Sequence, residues 1–346
     1  MTNPVFSIAI ATFNSEKTLR KTLDSIKKQN YPYDKIETLI IDGGSTDNTL
    51  SIAKNYHCKI ISNPKRELIF AKHIGFLKAS GKYLIFLDSD EVLDNPNSLQ
   101  IKYTVLQQYP KIKGLMPTGY KTPANYSFIN SYVNEVGDPF SFFNYRLSQD
   151  ARFYIKLLSN RYPYVLDDEN AIIFNFSSIK PLPIIELMAG GGLIDLNYMK
   201  KTFPEIKSNT SLIAFFFYLL IKKKSLIGIT KNDRVIHYSS ASLTQYLAKI
   251  RSRIKNNTFE TTMGKGGFLG RQRYQPLLFR LKKYLFIPYS FTLIFPLIDA
   301  CYFSITRKKL LYFIHIPLCF YTSILILYFQ IIKLLGINPK INTYGK

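Results

Sequence analysis

The sequence has few cysteines and few acidic residues, and both shortages restrict what the protein can do. Cys58, Cys301 and Cys319 have the spacing neither of a metal site nor of a redox pair, and an odd number does not close into disulfides. We therefore expect free thiols in a reducing compartment. Only 23 acidic residues stand against 46 lysines and arginines, which gives a formal charge of +23. This balance favours anionic partners, namely phosphorylated substrates, an anionic membrane surface or nucleic acid.

Two nucleotide-binding signatures are also missing. The first apolar run, residues 5–11, is followed by Thr12-Phe13-Asn14-Ser15 instead of Gly-x-Gly-x-x-Gly, which disfavours a Rossmann dinucleotide site. The sequence has no Walker A loop either. No basic segment precedes the first run, so we expect it to be a buried strand and not a signal peptide. No nucleic-acid motif accompanies the positive charge, which makes nucleic acid the weakest of the three partners.

What the sequence does contain, over its first hundred residues, is a series of short apolar runs that alternate with amphipathic segments. Leu19, Leu23 and Ile26 form one such apolar helical stripe. We predict four buried strands, Val5 to Ala11, Ile36 to Ile41, Lys59 to Ile61 and Tyr83 to Leu87. This series predicts an α/β fold with a doubly wound, mostly parallel sheet, whose ligands bind beyond the carboxyl ends of the strands.

Polar side chains follow three of these strands at the point where each strand ends. They are Thr12 and Asn14 after the first, Asp42, Ser45 and Asp47 after the second, and Asp88-Ser89-Asp90 after the fourth. The carboxyl ends of parallel strands converge on one crevice, so we expect these groups to lie close together. An isolated Asp-x-Asp triplet is usually a solvated turn. Its place after a buried strand, matched by a second acidic strand end, favours a binding site here.

Two carboxylates at this spacing can hold Mg²⁺ or Mn²⁺, which prefer oxygen ligands and leave coordination positions for phosphate. Such a metal would neutralise the charge that grows on a departing diphosphate. Asp42, at the end of its strand, can accept a hydrogen bond from the N–H group of a nucleobase. The first half of the sequence therefore predicts a site for a metal and a phosphorylated nucleotide.

Five segments of this half resemble the family 2 glycosyltransferases. They are Ile8 to Asn14, Ile40 to Asp47, Ala71 to Gly75, Ala79 to Gly81 and Phe86 to Asp90, within about residues 5–93. The resemblance implies the GT-A fold, a nucleotide-sugar donor and normally an inverting displacement at the anomeric carbon. It implies that Asp42 binds the base, that Asp88 and Asp90 serve ribose, metal and diphosphate, and that Lys72-His73, commonly Arg-Asn, lies near the nucleotide. The predicted nucleotide-sugar residues are Thr12, Asn14, Asp42, Ser45, Asp47, Lys72, His73, Asp88, Ser89 and Asp90.

The second half resembles the family more weakly. Ala189 to Gly192 is similar to the small-residue turn that floors the acceptor site, which makes Gly191 and Gly192 acceptor-side candidates. His237 follows a short apolar run that is similar to the strand closing many members. The resemblance makes His237 a candidate residue on the acceptor side that reaches the diphosphate. It also makes His237 the third candidate metal ligand, after Asp88 and Asp90. A structural histidine held by hydrogen bonds is an equal alternative.

The acidic pair from which family members usually take their general base is missing. Ser208-Asn209 stands at its position, and an asparagine cannot take the acceptor proton. Glu205 is the first substitute, and Asp195 and the cluster Asp167-Asp168-Glu169 follow it. The catalytic candidates are therefore Glu205, Asp195 and, at the position of the pair itself, Asn209. An acceptor that is already an anion, such as a polyprenyl phosphate, would need no base.

Two long apolar segments, about Tyr284 to Ile305 and Leu310 to Leu335, end the sequence. Each is long enough to cross a hydrocarbon core of about 30 Å. Basic residues precede, separate and follow them. A two-span hairpin would put the middle basic group on the opposite face from the other two, against the positive-inside rule. We therefore expect an in-plane or re-entrant helical pair at anionic headgroups, with two buried helices of a soluble domain as the alternative.

These interpretations combine into one prediction for the chain. Residues 1–258 form the GT-A domain, with a nucleotide-sugar half (1–95) and an acceptor half (96–258), 259–283 form a basic linker, and 284–346 form the membrane-associated pair. The predicted function is an inverting transfer to a lipid-linked glycan at the cytoplasmic face of the cell membrane, in bacterial or archaeal cell-envelope polysaccharide or glycoconjugate synthesis.

Two alternatives remain open. One is a polyprenyl-phosphate sugar transferase, although Glu91-Val92 stands where such enzymes tend to carry a Leu-Gln type sequence. The other is a non-catalytic partner subunit that binds nucleotide-sugar.

Overall fold

Strands and helices alternate through the first hundred residues, as the sequence predicts. The computed structural model describes residues 4–261, 265 and 267–339. The strands of this part are β1 (Phe6–Thr12), β2 (Ile36–Asp42), β3 (Lys59–Ser62), β4 (Tyr83–Asp88), β5 (Glu91–Leu93), β6 (Ile112–Met116), β7 (Gly119–Lys121), β8 (Tyr164–Asp167), β9 (Ala171–Phe174), β10 (Gly192–Asp195), β11 (Leu226–Thr230) and β12 (Arg234–His237). The four predicted strands correspond to β1–β4 and are confirmed.

The longer helices of the described residues are α1 (Glu16–Lys27), α2 (Thr49–Asn55), α3 (Leu68–Lys78), α4 (Ser98–Gln108), α5 (Phe128–Val136), α6 (Pro139–Tyr145), α7 (Tyr154–Ser159), α8 (Leu196–Thr202), α9 (Phe216–Lys222), α10 (Leu243–Thr258), α11 (Phe268–Gln272), α12 (Leu277–Lys282), α13 (Phe286–Phe291), α14 (Ile294–Arg307) and α15 (His315–Leu334). Short 3-10 helices include Pro204–Lys207, Thr210–Phe215, Lys283–Leu285 and Leu310–Ile314. The chain divides into two compact units. The first contains the described residues up to Pro123, Asp150–Ile179 and Ile185–Tyr238, and the second contains Ala124–Gln149, Lys180–Ile184 and the described residues from Ser239 onward.

Nine strands of the first unit form one mixed sheet in the order β3-β2-β1-β4-β10-β6-β11-β9-β8, counted over the described residues. β1 pairs in parallel with β2 and with β4, and β2 pairs in parallel with β3. β10 runs antiparallel to β4 and to β6. The carboxyl ends of β1, β2 and β4 therefore lie at one edge, at the boundary between the parallel part and the reversed strand β10. A smaller sheet, β5-β12-β7, lies in the same unit.

Burial explains why these segments form strands and helices. β1 is buried along almost its whole length, as expected of a strand covered on both faces. On α1 the predicted stripe of Leu19, Leu23 and Ile26 is buried in the core. α3 approaches β1 so closely that a Cβ atom on Gly75 would lie 2.8 Å from the Cβ of Ala9. Glycine is therefore the residue that allows α3 to pack at this depth.

The second unit is helical, and it includes an internal segment that the sequence left unassigned. α5 lies in the middle of the sequence, yet its Tyr132 and Val133 pack in one apolar core with Tyr246 of α10 and Phe303 of α14. Glu135 of α5 is fully buried and accepts a hydrogen bond from Arg307 Nε at 2.6 Å. Pairing with Arg307 offsets the cost of burying this carboxylate. The predicted domain boundaries at residues 258 and 283 stay predictions.

A large apolar surface remains exposed on this unit. The segment Leu310–Leu334 is, among the described residues, the one helix long and apolar enough by itself to cross a membrane. Leu277–Phe291 and Ile294–Arg307 pass the same test only as a pair, which bends by 86°. A core helix of a soluble protein can have the same length and composition, but it is mostly buried. In Leu310–Leu334 only 39% of the apolar window is buried. Most of that window is open to the surroundings.

Candidate functional site

The polar residues that follow β1 and β2 form one hydrogen-bonded cluster. Thr12 Oγ1 and Ser45 Oγ donate to Asp42 Oδ1 at 2.9 and 2.5 Å. The backbone amides of Gly44 and Ser45 donate to Asp42 Oδ2, both at 2.8 Å. The amide of Asn14 donates to Ser45 Oγ at 2.9 Å. The structure thus brings together Thr12, Asn14, Asp42 and Ser45, which the sequence assigns to the nucleotide.

Asp42 and Asp47 also accept hydrogen bonds from nearby backbone amides, which stabilises the loops at this edge. A carboxylate offers about four lone pairs, and the four donors around Asp42 use all of them. A nucleobase N–H group can therefore reach Asp42 only by displacing one of these donors, and the Ser45 hydroxyl is the most easily rotated. Asp47 accepts hydrogen bonds from the Thr49 amide at 3.0 Å and the Glu16 amide at 3.1 Å. It therefore satisfies amides at the starts of α1 and α2.

At the end of β4, Asp88 is paired with a buried lysine. Lys72 has only 3% of its side chain exposed, and its Nζ donates to Asp88 Oδ1 at 2.5 Å. The same Nζ donates to the backbone carbonyl oxygen of Met188 at 2.7 Å. Asp88 keeps 29% of its side chain exposed. Lys72 therefore joins a predicted metal ligand to the chain just before the predicted acceptor turn.

Glu91, which is not among the residues predicted from the sequence, lies beneath Asp88. Its Oε2 accepts from the Asp88 amide at 2.8 Å, and its Oε1 accepts from the Tyr120 hydroxyl at 3.0 Å. The ring of Tyr120 stacks on His237 with 4.4 Å between centroids. Burial, and then the charges of Asp88 and Asp90, raise the pKa of Glu91 to about 8. The sequence signal for this residue was an acid directly after the triplet, and Tyr120 had no comparable signal.

The other two members of the triplet connect β4 to neighbouring elements. Ser89 Oγ donates to Ser15 Oγ at 3.0 Å, which links this strand end to the cluster after β1. The amide of Tyr238 donates to the Asp90 carbonyl oxygen at 2.9 Å, directly after β12. The predicted nucleotide residues around β1, β2 and β4 therefore belong to one continuous network.

His73 faces the predicted acceptor side. Its Nε2 lies 2.7 Å from the Ile206 carbonyl oxygen, and its Nδ1 lies 3.1 Å from Thr210 Oγ1. Because a carbonyl only accepts, Nε2 donates and Nδ1 accepts from the threonine hydroxyl. Glu205 is exposed on the segment that His73 holds. Asn209 accepts from the Ser211 amide at 3.2 Å and so caps the 3-10 helix Thr210–Phe215.

The remaining base candidates lie away from this edge. Asp195 pairs with Tyr83, the first residue of β4, and so lies at the opposite end of the strand from Asp88. There it caps α8 and accepts from Lys113 Nζ at 2.8 Å. The cluster Asp167-Asp168-Glu169 begins at the last residue of β8, the outermost strand of the sheet. The structure does not bring these carboxylates to the site.

The predicted acceptor turn packs directly against β4 and Tyr120. The amide of Gly191 donates to the Phe86 carbonyl oxygen at 3.0 Å. Gly190 and Gly191 have φ values of +64° and +73°, a conformation that glycine adopts without strain. A Cβ atom on Gly190 would lie 2.7 Å from the Tyr120 hydroxyl, and one on Gly192 would lie 2.7 Å from the Leu187 carbonyl oxygen. The turn can approach so closely because its three glycines have no side chains.

Asp88 and Asp90 are the residues at this edge whose chemistry suits a divalent cation. No group of three or more His, Cys, Asp or Glu side chains converges to hold a metal anywhere in the described part of the chain. His237, which stacks on Tyr120, therefore does not complete a three-ligand set with Asp88 and Asp90 in this structure. A pair of carboxylates nevertheless fits Mg²⁺, which usually binds through one or two carboxylates, substrate phosphates and water.

Comparison with known proteins identifies similarities in sequence and in fold. Residues 7–152 match a family model described as "Glycosyl transferase family 2". The chain is 32% identical over 119 residues to "Dolichyl N-acetyl-alpha-D-glucosaminyl phosphate 3-beta-D-2,3-diacetamido-2,3-dideoxy-beta-D-glucuronosyltransferase" of Methanococcus voltae, covering 32% of this chain and 37% of that protein. It is 31% identical over 97 residues to "Poly(ribitol-phosphate) beta-N-acetylglucosaminyltransferase TarS" of Staphylococcus aureus, covering 26% of this chain and 17% of that protein. The matched part thus spans about a third of the first relative and less than a fifth of the second.

A solved structure shares the fold over nearly the whole chain. The structure described as "Mannosyltransferase PcManGT from Pyrobaculum calidifontis in complex with GDP-Man and Mn2+" superposes with a TM-score of 0.50 at 12% identity. The similarity covers 95% of this chain and 88% of that one. At this identity the comparison shows the fold alone, and the predicted GT-A architecture is confirmed.

Burial of Glu91 predicts a specific pH dependence of stability. The folded state holds its proton up to about pH 8, whereas the unfolded chain releases it near pH 4.5. Between these values the folded state binds more protons, so this residue lowers the free energy of unfolding as the pH rises. Chemical denaturation with a chelator present should show a fall from pH 5 to pH 8 that Glu91→Gln reduces. Glu169→Gln removes an exposed carboxylate as the control, and equal slopes for wild type and Glu91→Gln would contradict the prediction.

Proposed function

We propose that this chain, which belongs through residues 7–152 to family 2 of the glycosyltransferases, moves a sugar from a nucleotide-diphosphate sugar to a lipid-linked glycan at a membrane. The observation that carries the proposal is the single network at the strand ends. There the Asp42 cluster and the Asp88-Ser89-Asp90 triplet are joined through the 3.0 Å contact between Ser15 and Ser89. One nucleotide could therefore contact both groups.

The residues at this edge divide the binding of the donor between them. The loops around Asn14 and Ser45 receive the base and ribose. Asp88 and Asp90 lie where the diphosphate would follow, and together they would hold Mg²⁺ or Mn²⁺. Such an ion, when bound, would offset the negative charge that develops on the leaving diphosphate. Lys72 and Glu91 fix Asp88 from its side chain and from its backbone amide, respectively. A preorganised site of this kind does not need to rearrange during the reaction.

The similar proteins support a lipid-linked acceptor and a metal. The name of the Methanococcus voltae relative includes a dolichyl-linked sugar phosphate. The Pyrobaculum calidifontis mannosyltransferase was solved as a complex with GDP-Man and Mn2+. For the present chain these remain proposals. We propose UDP or GDP as the donor nucleotide, and the GDP-sugar of the Pyrobaculum calidifontis complex supports the second of the two.

Exposed apolar residues of the second unit support membrane association. Leu278 is 83% exposed, Ile305 is 76% exposed, and Leu310 is 79% exposed. Basic residues accompany them, with Lys282 and Arg307 at the ends of α12 and α14. Apolar side chains can enter the lipid while lysine and arginine pair with anionic headgroups. We propose the cytoplasmic face of the cell membrane as the location, with the two apolar segments, about Tyr284 to Ile305 and Leu310 to Leu335, lying in the interface.

A second candidate is transfer to a polyprenyl phosphate. It is favoured by Ser208-Asn209, where Asn209 caps a helix and offers no carboxylate. A phosphate acceptor attacks as an anion and needs no base.

A third candidate, a non-catalytic partner subunit, would bind nucleotide-sugar without hydrolysing it. Incubation with donor but no acceptor separates this candidate, because a competent site hydrolyses some donor.

Loss of both carboxylates of the triplet should abolish metal-dependent transfer. We expect Asp88→Asn with Asp90→Asn to reduce the rate by about 10³, since a bound metal contributes several kcal/mol to charge stabilisation. The assay incubates membranes that carry the protein with UDP- and GDP-sugars and extracted lipid, and identifies the product by mass.

Asp94→Asn provides a matched control, because Asp94 lies nearby and binds Lys121 and Arg234 instead. Its transfer rate and the response to added chelator should resemble those of the wild type. Full activity in the double variant would rule out the assigned donor site.

The membrane proposal predicts binding to vesicles that depends on lipid charge and on exposed leucines. Leu278→Glu with Leu285→Glu should weaken sedimentation with anionic phospholipid vesicles at least about tenfold, since burial of each leucine contributes about 1.5–3 kcal/mol. Leu77→Glu, at a 39% exposed position in the first unit, serves as control. Equal binding of wild type and double variant, or equal binding to neutral vesicles, would contradict the proposal.

A further inference from the structure

The loop between β3 and α3, residues 63–67, is attached to the end of β2. The Asn63 amide donates to the Asp42 carbonyl oxygen at 2.7 Å. Within the loop, Asn63 Nδ2 donates to the Glu67 carbonyl oxygen at 3.0 Å, and the Arg66 amide donates to the Asn63 carbonyl oxygen at 3.1 Å. None of the five segments that resemble the family 2 glycosyltransferases includes this loop. Its conformation is therefore fixed beside the Asp42 cluster by contacts that the family motifs do not describe.

The side chain of Arg66 lies against the loop that surrounds the Asp42 carboxylate. An ideal Cβ atom on Gly44 would lie 3.2 Å from Arg66 Nη2, 3.5 Å from its Nε and 3.6 Å from its Cζ. The Gly44 amide in turn donates to Asp42 Oδ2 at 2.8 Å. The guanidinium group is therefore placed, by direct contact, at one of the loops to which we assign the base and ribose of the donor.

The backbone of Arg66 is held in an uncommon conformation. Its φ is +53°, a value that residues with a side chain adopt rarely and keep where the surrounding structure holds them. The hydrogen bond from the Arg66 amide to the Asn63 carbonyl oxygen supplies this support. An exposed arginine normally samples many rotamers. Here the loop conformation and the contact with Gly44 together fix the position of the exposed Arg66 side chain.

The guanidinium group of Arg66 keeps its capacity to bind a ligand. An arginine side chain donates through several N–H groups arranged in one plane. Within the part of the chain that the structure describes, no carboxylate forms an ion pair with Arg66, and its side chain donates no hydrogen bond. Lys72, by contrast, is already bound to Asp88 and to the Met188 carbonyl oxygen. Arg66 is therefore a positioned cation at this edge whose N–H groups are available to a ligand.

We propose that Arg66 contacts the nucleobase of the sugar donor and so increases the affinity of the site for the nucleotide. This inference rests on the proposed function, in which the loops around Asn14 and Ser45 receive the base. Gly44, against which the guanidinium group lies, directly precedes Ser45. The planar guanidinium group can stack on the face of a base or donate to its carbonyl oxygens. Lysine carries the same charge but lacks the plane and the fork of donors, so it is a poor replacement.

Substitution of Arg66 should weaken the binding of a nucleotide through its base. The measurement is calorimetric titration of the full chain, with Mn²⁺ present, by whichever of UDP and GDP the wild type binds more tightly. We expect Arg66→Ala to weaken this binding by about tenfold, as expected for the loss of one base contact. Arg66→Lys should weaken it by a similar factor, because charge alone does not make the contact. The affinity for manganese pyrophosphate, which has no base, should change by less than about twofold in both variants.

Lys65→Ala is the matched control, because it removes the same charge from the neighbouring exposed residue, whose Nζ lies 6.0 Å from the centre of the Phe70 ring. Its affinity for the nucleotide should stay within about twofold of the wild type. The inference is overturned if Arg66→Ala binds the nucleotide as tightly as the wild type, or if Arg66→Lys restores the affinity. Equal losses in Lys65→Ala, or equal losses of pyrophosphate binding, would also overturn it. Wild type that binds neither UDP nor GDP would instead remove the proposed donor site, and this inference with it.

Discussion

The arrangement of the site depends on one buried acidic side chain, Glu91. Burial raises its pKa to about 8, so it is mostly a neutral acid at neutral pH, and its two oxygens accept hydrogen bonds from the Asp88 amide and the Tyr120 hydroxyl. These two bonds fix the end of β4 against the smaller sheet, in which Glu91 pairs with His237 across β5 and β12. The stacking of Tyr120 on His237 and the close approach of Gly190 to Tyr120 depend on the same anchor. The side chains of the triplet are partly exposed, while Glu91 holds the backbone amide of Asp88.

Most of the structure of the first hundred residues follows from the sequence by local physical rules. Short buried runs predict β1–β4, apolar periodicity predicts α1, and the convergence of parallel strand ends predicts that Thr12, Asp42 and Asp88 meet. What the sequence does not reveal are pairings between distant residues. Lys72 meets Met188 across 116 positions, and Tyr120 meets Glu91 across 29 positions, because the register of β10 and β12 brings them together. The segment 95–183 lacks clear periodicity, so the packing of α5 into the helical unit could not be anticipated either.

A polar residue at this edge can either contact a ligand or stabilise a loop or helix end. The hydrogen bonds in the structure identify residues of the second kind. Asp47 and Asn209 cap helices, His73 holds the 205–210 segment, and Asp42 closes its own loop. A sequence motif records that a polar residue is needed at such a position, but it does not distinguish a ligand contact from a hydrogen bond that shapes the loop. The same ambiguity affects the general base. The expected acidic pair is replaced by Ser208-Asn209, and Asn209 caps a 3-10 helix.

The central claim is that one nucleotide diphosphate spans the Asp42 cluster and the Asp88-Ser89-Asp90 triplet. A crystal structure of the protein with a nucleoside diphosphate and Mn²⁺, with the anomalous signal used to locate the metal, tests this claim most directly. We expect an anomalous peak coordinated by Asp88 or Asp90 and by the diphosphate, with the base beside the Asn14 and Ser45 loops. A nucleotide bound elsewhere on the chain, or manganese bound away from the triplet, would contradict it.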